Sequence, residues 1–565
     1  MARTVLQGLG ASPGAAVGRA IVLRDVVATA APPDQAVALA ALAQAAAELG
    51  RAAEALRAGG LADEAEILEA NRLMAEDPSL AASVRELAAG LAPAEALRAA
   101  TERYASLLAE LPNPLLAGRA TDVRELGRRA ARIAAGTFAP PAPDCASILV
   151  AREVGPAEIA ELELGHDRIV AVALAEGSAT AHAAIVARSL GVPLVVALGD
   201  ELTEIADGTV LALDGDSGVV SVDPAPAELG EVRERMREDA RRRRALAGLR
   251  GLPAETADGR AVTLLCNAAS AAEVEAGLAA GAAGVGLLRT ELAFLQATAW
   301  PTEQEHRAVL APLLAPLRGR VATVRTLDFG ADKTPLFLAE TAERGLALTL
   351  TQPDALAAQL RAIVAAGAGT RLRILLPLVE SAQQVRAVRP LLLESFGVHG
   401  TVELGAMIET PQAARRTTEI ALESDFISIG TNDLVASTLA LHRDLPLTSA
   451  ASAADPAVLG HVASIVRDAH AAGITVEVCG EAAGVPELVV LFVGLGVDEL
   501  SVAPARVDLV RAVVRAVSAE RSAVLALEAL GAPSAEVVVE LVRSGEVGDE
   551  LREALEGLGG VRAGG

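Results

Sequence analysis

Residues 321–333 read V-A-T-V-R-T-L-D-F-G-A-D-K, an apolar strand pattern that runs directly into a dense group of charged side chains. We expect a strand over residues 321–326, with Arg325 and Asp328 at its carboxyl end. Lys333 is the single lysine among the 49 Lys and Arg residues of the chain. Because an ammonium and a guanidinium are not interchangeable at a tight anionic site, Lys333 is a candidate anion ligand. The alternative is a stray surface charge.

The same pattern recurs on both sides of this stretch. Seven further strand candidates alternate with helical patterns, at residues 262–265, 285–288, 372–376, 404–408, 426–429, 475–478 and 499–502. Eight βα units in about 300 residues predict a (β/α)₈ barrel. In such barrels the active site lies at the carboxyl ends of the strands.

Polar residues follow the predicted strands at this end. Four basic residues there suit a multiply charged anion such as a phosphate; they are Arg289, Arg325, Lys333 and Arg443. Two carboxylates, Glu409 and Asp433, suit Mg²⁺ if phosphate oxygens complete its coordination. The alternative is a network of mutual salt bridges that only closes the top of the barrel.

The three cysteines are too few for a disulfide framework in a chain of 565 residues. Cys479 ends the seventh predicted strand beside a carboxylate and the basic cluster, where a thiol can exchange a proton. It can equally be a small core residue, as free cysteines commonly are. Cys145 and Cys266 have no such neighbours, and we expect them to pack.

A second candidate site lies in E-G-S-A-T-A-H-A-A-I-V-A-R-S-L-G-V-P, residues 176–193. His182 follows a turn of small residues and precedes an apolar helical run, so we expect it near a helix N-terminus. Free backbone amides and the helix dipole favour a phosphate or a phosphohistidine there. A structural histidine beside an apolar helix is the alternative.

The first half of the chain divides into three patterns. The first 20 or so residues hold a strand pattern, and the glycines of residues 8–14 predict a tight turn. Residues 34–137 are helical by periodicity, and residues 147–223 alternate short strands and helices as in a compact α/β domain. A polar helix at residues 227–249 then connects to the barrel.

Composition excludes several classes of protein. The net charge of −24 argues against a general nucleic-acid binder, since phosphate contacts supply most of that affinity. The amino terminus has no signal-like apolar core, and no uninterrupted apolar run reaches membrane-spanning length. We therefore expect a cytoplasmic protein that neither binds nucleic acid nor inserts into a membrane.

Taken together, these motifs resemble Enzyme I of the phosphoenolpyruvate:sugar phosphotransferase system, over almost the whole chain. Residues 177–193 resemble its phosphohistidine signature. The barrel motifs follow in the family's order: G-V-G-L-L-R-T-E from Gly284, P-T-E-Q-E from Pro301, R-T-L-D-F-G-A-D-K from Arg325, Q-L-R-A-I from Gln359, M-I-E-T-P from Met407, F-I-S-I-G-T-N-D-L from Phe426 and C-G-E-A-A-G from Cys479.

The resemblance implies specific roles for these residues. His182 would accept the phosphoryl group through Nε2, and Cys479 would protonate the enolate carbon of the leaving pyruvate. Glu409 and Asp433 would bind Mg²⁺. The residues that would bind phosphoenolpyruvate are Arg289, Arg325, Lys333, Arg344, Asn432, Asp433 and Arg443.

The resemblance also implies an organisation and partners. A swivelling phosphohistidine α/β domain (residues 1–24 and 144–225) would carry an inserted helical domain (residues 25–143). A linker helix (residues 226–253) would lead to a phosphoenolpyruvate-binding (β/α)₈ barrel that dimerises (residues 254–565). The expected partners are phosphoenolpyruvate, an HPr-type phosphocarrier protein that docks on the helical domain, and a second copy of the chain.

Several positions depart from the family pattern. Ala181 replaces a serine beside the histidine, Ser178 and Ala331 replace glycines, and Asn71 lies where the helical domain often has a histidine. The segment after Lys333 is shortened, which leaves Arg344 as a remnant of a phosphate-binding arginine. These changes affect the expected rate and the choice of carrier.

Two alternatives share these modules. One is a catalytically impaired regulatory protein that senses phosphoenolpyruvate, suggested by the shortened segment before Arg344. The other is a pyruvate-phosphate dikinase or phosphoenolpyruvate synthase. The roughly 100 helical residues are too few for the ATP-binding domain of such enzymes, and they lack a glycine-rich nucleotide loop.

Overall fold

The computed structural model describes residues 4–23, 31–58, 62–109, 114–136, 145–165, 168–178, 182–295, 297–330, 334–338, 343–395, 402–441 and 450–557. These fall into two compact units, Met1–Asp239 and Ala240–Gly565. The boundary between the units lies within a long polar helix.

The first unit contains an eight-stranded sheet. Its strands are β1 (Thr4–Gln7), β2 (Leu9–Ser12), β3 (Ala15–Leu23), β4 (Ser147–Ala151), β5 (Ile169–Leu174), β6 (Leu194–Val196), β7 (Val210–Asp214) and β8 (Val219–Val222). They lie in the order β1-β8-β7-β3-β4-β5-β6-β2. Strands β3 to β6 pair in parallel, and the outer pairs are antiparallel. The amino-terminal strands therefore share one sheet with strands more than 120 residues downstream, as the resemblance implies.

The prediction of a tight turn over residues 8–14 is largely wrong. Leu9–Ser12 is a strand that pairs antiparallel with Leu194–Val196. A Cβ atom at Gly10 would lie 2.3 Å from the carbonyl oxygen of Gly215. Gly10 thus allows two backbones to approach closely, which is a common reason for glycine within a strand.

Between β3 and β4 the chain forms five helices. They are α1 (Gln35–Ala58), α2 (Ala62–Ala75), α3 (Pro78–Leu87), α4 (Pro93–Ala109) and α5 (Pro114–Ala134). Alanine and leucine side chains pack between these helices, and Leu42, Leu68 and Leu97 are almost fully buried. The predicted helical region is confirmed.

Helix α1 contains the one described segment, Gln35–Leu56, that is long and apolar enough to cross a membrane. Half of its most apolar window is buried inside the first unit. Its alanines Ala38, Ala45 and Ala53 are fully covered, so the apolar composition is accounted for by packing within the bundle.

The described residues of the first unit form three further α-helices, of which the last leads into the second unit: α6 (Pro156–Gly165), α7 (His182–Leu190) and α8 (Pro226–Ala247). Helix α8 corresponds to the predicted polar connector and has no buried residue.

The second unit is built on a closed parallel barrel. Its strands are β9 (Thr263–Ala268), β10 (Gly284–Leu288), β11 (Val321–Arg325), β12 (Arg371–Leu376), β13 (Glu403–Ile408), β14 (Phe426–Ile429), β15 (Thr475–Val478) and β16 (Glu499–Val502). All eight predicted strands are confirmed, with ends that differ by at most a few residues. The predicted fold class is therefore confirmed.

Helices surround the barrel and extend beyond its last strand. They are α9 (Ala271–Ala279), α10 (Glu303–Leu314), α11 (Gly345–Leu350), α12 (Pro353–Ala366), α13 (Ala382–Ser395), α14 (Pro411–Ala414), α15 (Thr417–Ala421), α16 (Thr431–Thr438), α17 (Ala450–Ala453), α18 (Pro456–Ala471), α19 (Pro486–Leu495), α20 (Val507–Ala516), α21 (Ala519–Leu530), α22 (Ala535–Arg543) and α23 (Gly545–Gly557). Capping boxes begin α9, through Ser270 and Glu273, and α10, through Thr302 and Glu305. Valine and leucine form most of the core between strands and helices.

Candidate active site

Arg325, the last residue of β11, is held rigidly at the carboxyl end of the barrel, hereafter the barrel mouth. Its guanidinium lies 2.5 Å from Glu291 and 3.1 Å from Asp328. Glu291 is completely buried, and Arg325 is nearly so. Burial lowers the pKa of Arg325, but Glu291, Asp328 and Glu409 raise it more, so the net shift is upward. Arg325 is therefore a permanent, oriented cation.

A buried hydrogen-bond network fixes the backbone around Arg325. The hydroxyl of Thr290 donates to the carbonyl oxygen of Arg325 over 2.9 Å. Gln359 on α12 donates to Thr290 over 3.2 Å and accepts from the backbone amide of Leu327 over 3.0 Å. These contacts join β10, β11 and α12, and so hold the ends of the two strands in place.

Glu409 follows β13 and is a nearly buried carboxylate. One of its oxygens accepts a hydrogen bond from the backbone amide of Leu378 over 2.9 Å. Burial, followed by the charge of Asp328, raises the pKa of Glu409 to about 7, against the opposing effect of Arg325. A carboxylate in this environment is suited to binding a cation.

Two backbone features allow Glu409 to take this position. Leu378 has a φ of 49°, a left-handed conformation that is rare for a bulky residue and is found mainly at functional sites. A Cβ atom at Gly430 would lie 2.6 Å from Oε1 of Glu409. The glycine before α16 thus lets the carboxylate approach the start of that helix, which carries Asn432 and Asp433.

Arg344 also lies at the barrel mouth. Its Nη2 atom is 3.4 Å from Oδ1 of Asp433, and its charge lowers the pKa of Glu409. Gly330, with a φ of 137°, packs against it, and a Cβ atom there would lie 2.3 Å from Cβ of Arg344. Arg344 therefore remains beside the predicted carboxylates despite the shortened segment before it.

Cys479 directly follows β15 and lies on the inner side of the barrel. Its Sγ atom accepts a hydrogen bond from the hydroxyl of Ser428 over 3.2 Å and lies 3.7 Å from the carbonyl oxygen of Ile429. Burial, followed by the charge of Glu477, raises the pKa of Cys479 to about 12. The thiol therefore stays protonated at neutral pH, which suits an acid rather than a nucleophile.

Asn432 connects α16 to the Cys479 loop. Its Oδ1 atom accepts a hydrogen bond from the backbone amide of Glu481 over 3.1 Å. A Cβ atom at Gly480 would lie 1.7 Å from the hydroxyl oxygen of Thr431. The chain therefore packs tightly where β14 and β15 end, and glycine is required at position 480.

Arg289 follows β10 at the same end and is half-buried, with its backbone amide bonded to Ala268 over 2.9 Å. Lys333, Ala331 and Arg443 lie outside the described residues. The structure thus brings seven of the nine predicted barrel residues to one end of the barrel: Arg289, Arg325, Arg344, Glu409, Asn432, Asp433 and Cys479.

His182 lies in the first unit, where it is the first residue of α7. The first amides of a helix have no partner within it and attract anions. Upstream, Gly177 has a φ of 113°, a conformation that glycine adopts without steric cost. The backbone position predicted for His182 is confirmed, and its side chain lies outside the description, as does Ala181.

Comparisons with known proteins fit this arrangement. Three family models of PEP-utilising enzymes match: the N-terminal domain at residues 7–119, the mobile domain at 144–218 and the PEP-binding domain at 243–519. The phosphoenolpyruvate-protein phosphotransferase of Streptomyces coelicolor is 37% identical, over 96% of this chain and 100% of that protein.

The chain belongs to the phosphoenolpyruvate-protein phosphotransferase family, the Enzyme I family. The phosphoenolpyruvate-protein phosphotransferase of Haemophilus influenzae is 30% identical, over 95% of this chain and 98% of that protein. The multiphosphoryl transfer protein of Xanthomonas campestris pv. campestris is 36% identical, over 96% of this chain and 68% of that protein.

The carboxylates of Glu409 and Asp433 at the barrel mouth of this Enzyme I family member fit Mg²⁺. Glu409 accepts a hydrogen bond from the backbone amide of Leu378, and Gly430 leaves room for it close to the helix that carries Asp433. Among the described residues no group of three His, Cys, Asp or Glu side chains is arranged to hold a metal. Two carboxylates agree with a magnesium site in which substrate and water supply the other ligands.

Several residues of this Enzyme I site were not assigned a role from the sequence. Glu291 and Asp328 were visible as polar residues after strands. The pair of Glu291 with Arg325 joins residues 34 positions apart, and the local pattern does not show that Asp328, three residues after Arg325, pairs with it. Gln359 was visible only within a motif. The unusual φ of Leu378 has no signal in the sequence.

Proposed function

We propose that this Enzyme I family member transfers the phosphoryl group of phosphoenolpyruvate to its own His182, and then to the histidine of an HPr-type carrier, with release of pyruvate. This would be the first step of a sugar phosphotransferase system. The observation that carries the proposal is that Arg325, Glu409 and Cys479 lie at the ends of three barrel strands, close enough for their charges to act on one another.

Phosphoryl transfer depends mainly on positioning and on neutralising charge. We assign Arg325 to the phosphate, since Glu291 and Thr290 already orient it before substrate arrives. Arg289 and Arg344 would contact the same anion from the neighbouring strand end and from the segment before α11. Lys333, Asn432 and Arg443 are proposed as further substrate ligands.

Glu409 and Asp433 are the proposed Mg²⁺ ligands. When bound, the ion would neutralise charge on the phosphate. The chain's own contribution is to hold the two carboxylates: Leu378 orients Glu409 through its amide, and α16 presents Asp433 one residue after Asn432.

Cys479 is the proposed acid for the carbon of the leaving enolate. Its raised pKa keeps the proton on sulfur until a strong base such as an enolate forms. Ser428 donates to the sulfur and would stabilise the thiolate that remains. Loss of the thiol should therefore affect pyruvate formation more than binding of phosphoenolpyruvate.

His182 begins α7, where helix amides favour a phosphorylated side chain. We propose that residues 1–24 and 144–225 form the phosphohistidine domain, that residues 25–143 dock the carrier and that residues 226–253 link it to the barrel. Asn71 on α2 is 3% exposed, so carrier contacts would come from other residues of the helical domain. Dimerisation through residues 254–565 and a cytoplasmic location are part of the same proposal.

The test is incubation with radiolabelled phosphoenolpyruvate and Mg²⁺, followed by mapping of the label. Acid-labile, base-stable label on His182, and its absence from His182→Ala, are the expected results. Transfer of that label to a purified HPr-type carrier tests the second step. Label that persists in His182→Ala would refute the acceptor assignment, and binding without label would indicate a sensor.

A further inference from the structure

A second buried carboxylate lies beneath Cys479 inside the barrel. Glu477, two residues earlier on β15, has no exposed surface. Because side chains alternate along a strand, Glu477 and Cys479 point to the same side, into the barrel. Neither carboxylate oxygen of Glu477 has a well-aligned hydrogen-bond partner among the described residues. An ionised carboxylate without such partners is costly to bury, so Glu477 is expected to be a neutral acid.

The residues around Glu477 explain its neutral form. It is directly opposite Ser428 on β14 and Glu499 on β16. Glu499 is paired with Arg373 over 2.6 Å. Burial, followed by the charge of Glu499, raises the pKa of Glu477 well above the usual glutamate range, while Arg373 and Ser428 oppose this. Glu477 is therefore the member of this pair that keeps its proton, next to the charge of Glu499.

Ser428 lies between the neutral acid and the thiol. Adjacent strands are about 4.8 Å apart, so the side chains of the opposed pair Ser428 and Glu477 are neighbours. The Ser428 hydroxyl already donates its proton to Cys479 Sγ. Its oxygen can still accept a proton, and a protonated Glu477 is a donor beside it. A proton can therefore pass from Glu477 through the Ser428 hydroxyl to Cys479.

The other side of Glu477 leads to solvent. Glu499 and Arg373 lie at the amino-terminal end of the barrel, and Arg373 also pairs with Glu403 over 2.7 Å. The Glu403 side chain is 51% exposed. Cys479 is almost fully buried at the mouth, where bound substrate would cover it further. A proton from the opposite end does not have to pass the substrate.

We propose that Glu477, acting through the Ser428 hydroxyl, restores the proton that Cys479 gives up in each turnover. The inference rests on the proposed function, in which Cys479 protonates the enolate. In that step the S–H bond breaks and a C–H bond forms at the enolate carbon. The thiolate then takes the Ser428 proton while Ser428 takes the proton of Glu477. Glu477 regains a proton from solvent at the Glu499 end, so protons and charge balance without an oxidant or reductant.

The test compares two isotope exchanges in D₂O catalysed by the full chain with Mg²⁺, phosphoenolpyruvate and ¹⁴C-labelled pyruvate. Movement of ¹⁴C into phosphoenolpyruvate reports reversible phosphoryl transfer. Deuterium at the reacting carbon reports exchange of the Cys479 proton with solvent. In Glu477→Gln, we expect ¹⁴C exchange to stay within about twofold, because the same proton can return. Deuterium incorporation should fall by about tenfold or more, since a positioned proton donor contributes about 10²–10⁴-fold.

Thr323→Val is the matched control, because Thr323 is also a fully buried polar residue of a barrel strand. We expect both exchanges to be unchanged in it. If the ratio of deuterium incorporation to ¹⁴C exchange were the same in Glu477→Gln as in the original chain, the relay would be overturned. An equal fall in both exchanges would indicate only a structural role and would also overturn it. Failure of the unsubstituted chain to exchange ¹⁴C would instead contradict the proposed function.

Discussion

The two ends of the barrel use the same chemical groups in opposite ways. At the amino-terminal end, which we call the barrel floor, Arg373 is held between Glu403 and Glu499 and lies 5.1 Å from the centre of the Phe426 ring. At the mouth, Arg325 has two carboxylate partners, and Glu409 and Asp433 add further negative charge nearby. Both carboxylates at the floor pair with Arg373, which suits a role in stability. At the mouth, Glu409 and Asp433 are additional to the two partners of Arg325 and are suited to a cation and its anionic substrate.

The largest effect is expected on stability at the floor. Arg373→Met leaves Glu499 and Glu403 without their cation, and breaking a buried ion pair costs about 3–5 kcal/mol. Urea unfolding followed by the fluorescence of Trp300, the single tryptophan, measures this in the barrel unit. Arg386→Met, at an exposed pair with Glu423, should change the free energy of unfolding by less than about 1 kcal/mol. Equal changes in the free energy of unfolding for the two substitutions would show that the ion pairs at the floor stabilise the barrel no more than an exposed pair does.

The next largest effect is expected on the rate of phosphoryl transfer at the barrel mouth. Arg325→Lys keeps the charge but loses the planar fork that meets both Glu291 and a phosphate. We expect labelling of His182 to slow by about 10²–10³-fold, as when one preoriented donor is removed from an active site. Rapid-quench labelling measures the rate, with Arg318→Lys on the exposed surface as the control. A rate within threefold of the original would show that Arg325 only closes the barrel.

A loss of stability in acid, of similar or smaller size, is expected from a residue that lies at neither end of the barrel. His306 on α10 is buried against Phe294, and burial lowers its pKa to about 4. The unfolded chain takes up the proton near the ordinary value of about 6.5, so this contribution to stability is complete above pH 6.5 and is lost as the pH falls toward 4. The total loss is about 3 kcal/mol. Trp300-monitored unfolding at pH 7 and pH 5 should differ less in His306→Leu, and an unchanged difference would exclude His306.

The smallest effect is expected from Gly430→Ala. The added methyl group would lie 2.6 Å from Glu409 and would displace the carboxylate. We expect the Mg²⁺ concentration for half-maximal labelling to rise about tenfold, in line with the effect of disturbing a metal ligand's surroundings. Gly460→Ala on α18, where nothing lies within 4 Å, is the control and should leave this concentration unchanged. An unchanged requirement in Gly430→Ala would argue against Glu409 as a ligand.

The sequence predicted the barrel well because each strand is a local event. Apolar β-branched runs such as residues 426–429 and 475–478, bounded by polar residues, identify strands without knowledge of their neighbours. Strand ends then place Arg325, Glu409 and Cys479 together, since parallel strands of a barrel share one carboxyl end. Local periodicity therefore sufficed for the fold and for most of the mouth.

The parts that were missed depend on contacts between distant residues. The partner of Arg325 is Glu291, 34 positions away, and no local pattern pairs them. Gly10 was interpreted as part of a turn because the strand that approaches it is more than 180 residues later. Glu477 gave one local signal, a carboxylate within an apolar strand, but its significance depends on Ser428 and Glu499 beside it.

Helix α8 has a consequence for the history of the chain. Its 22 residues form a rod about 33 Å long, and none of them is buried. The described hydrophobic clusters end at Val222 on one side and begin at Ala254 on the other. Insertions, deletions or gene fusions at this rod would leave both cores intact. Evolution can therefore exchange or rearrange the modules on either side without first redesigning how each one folds.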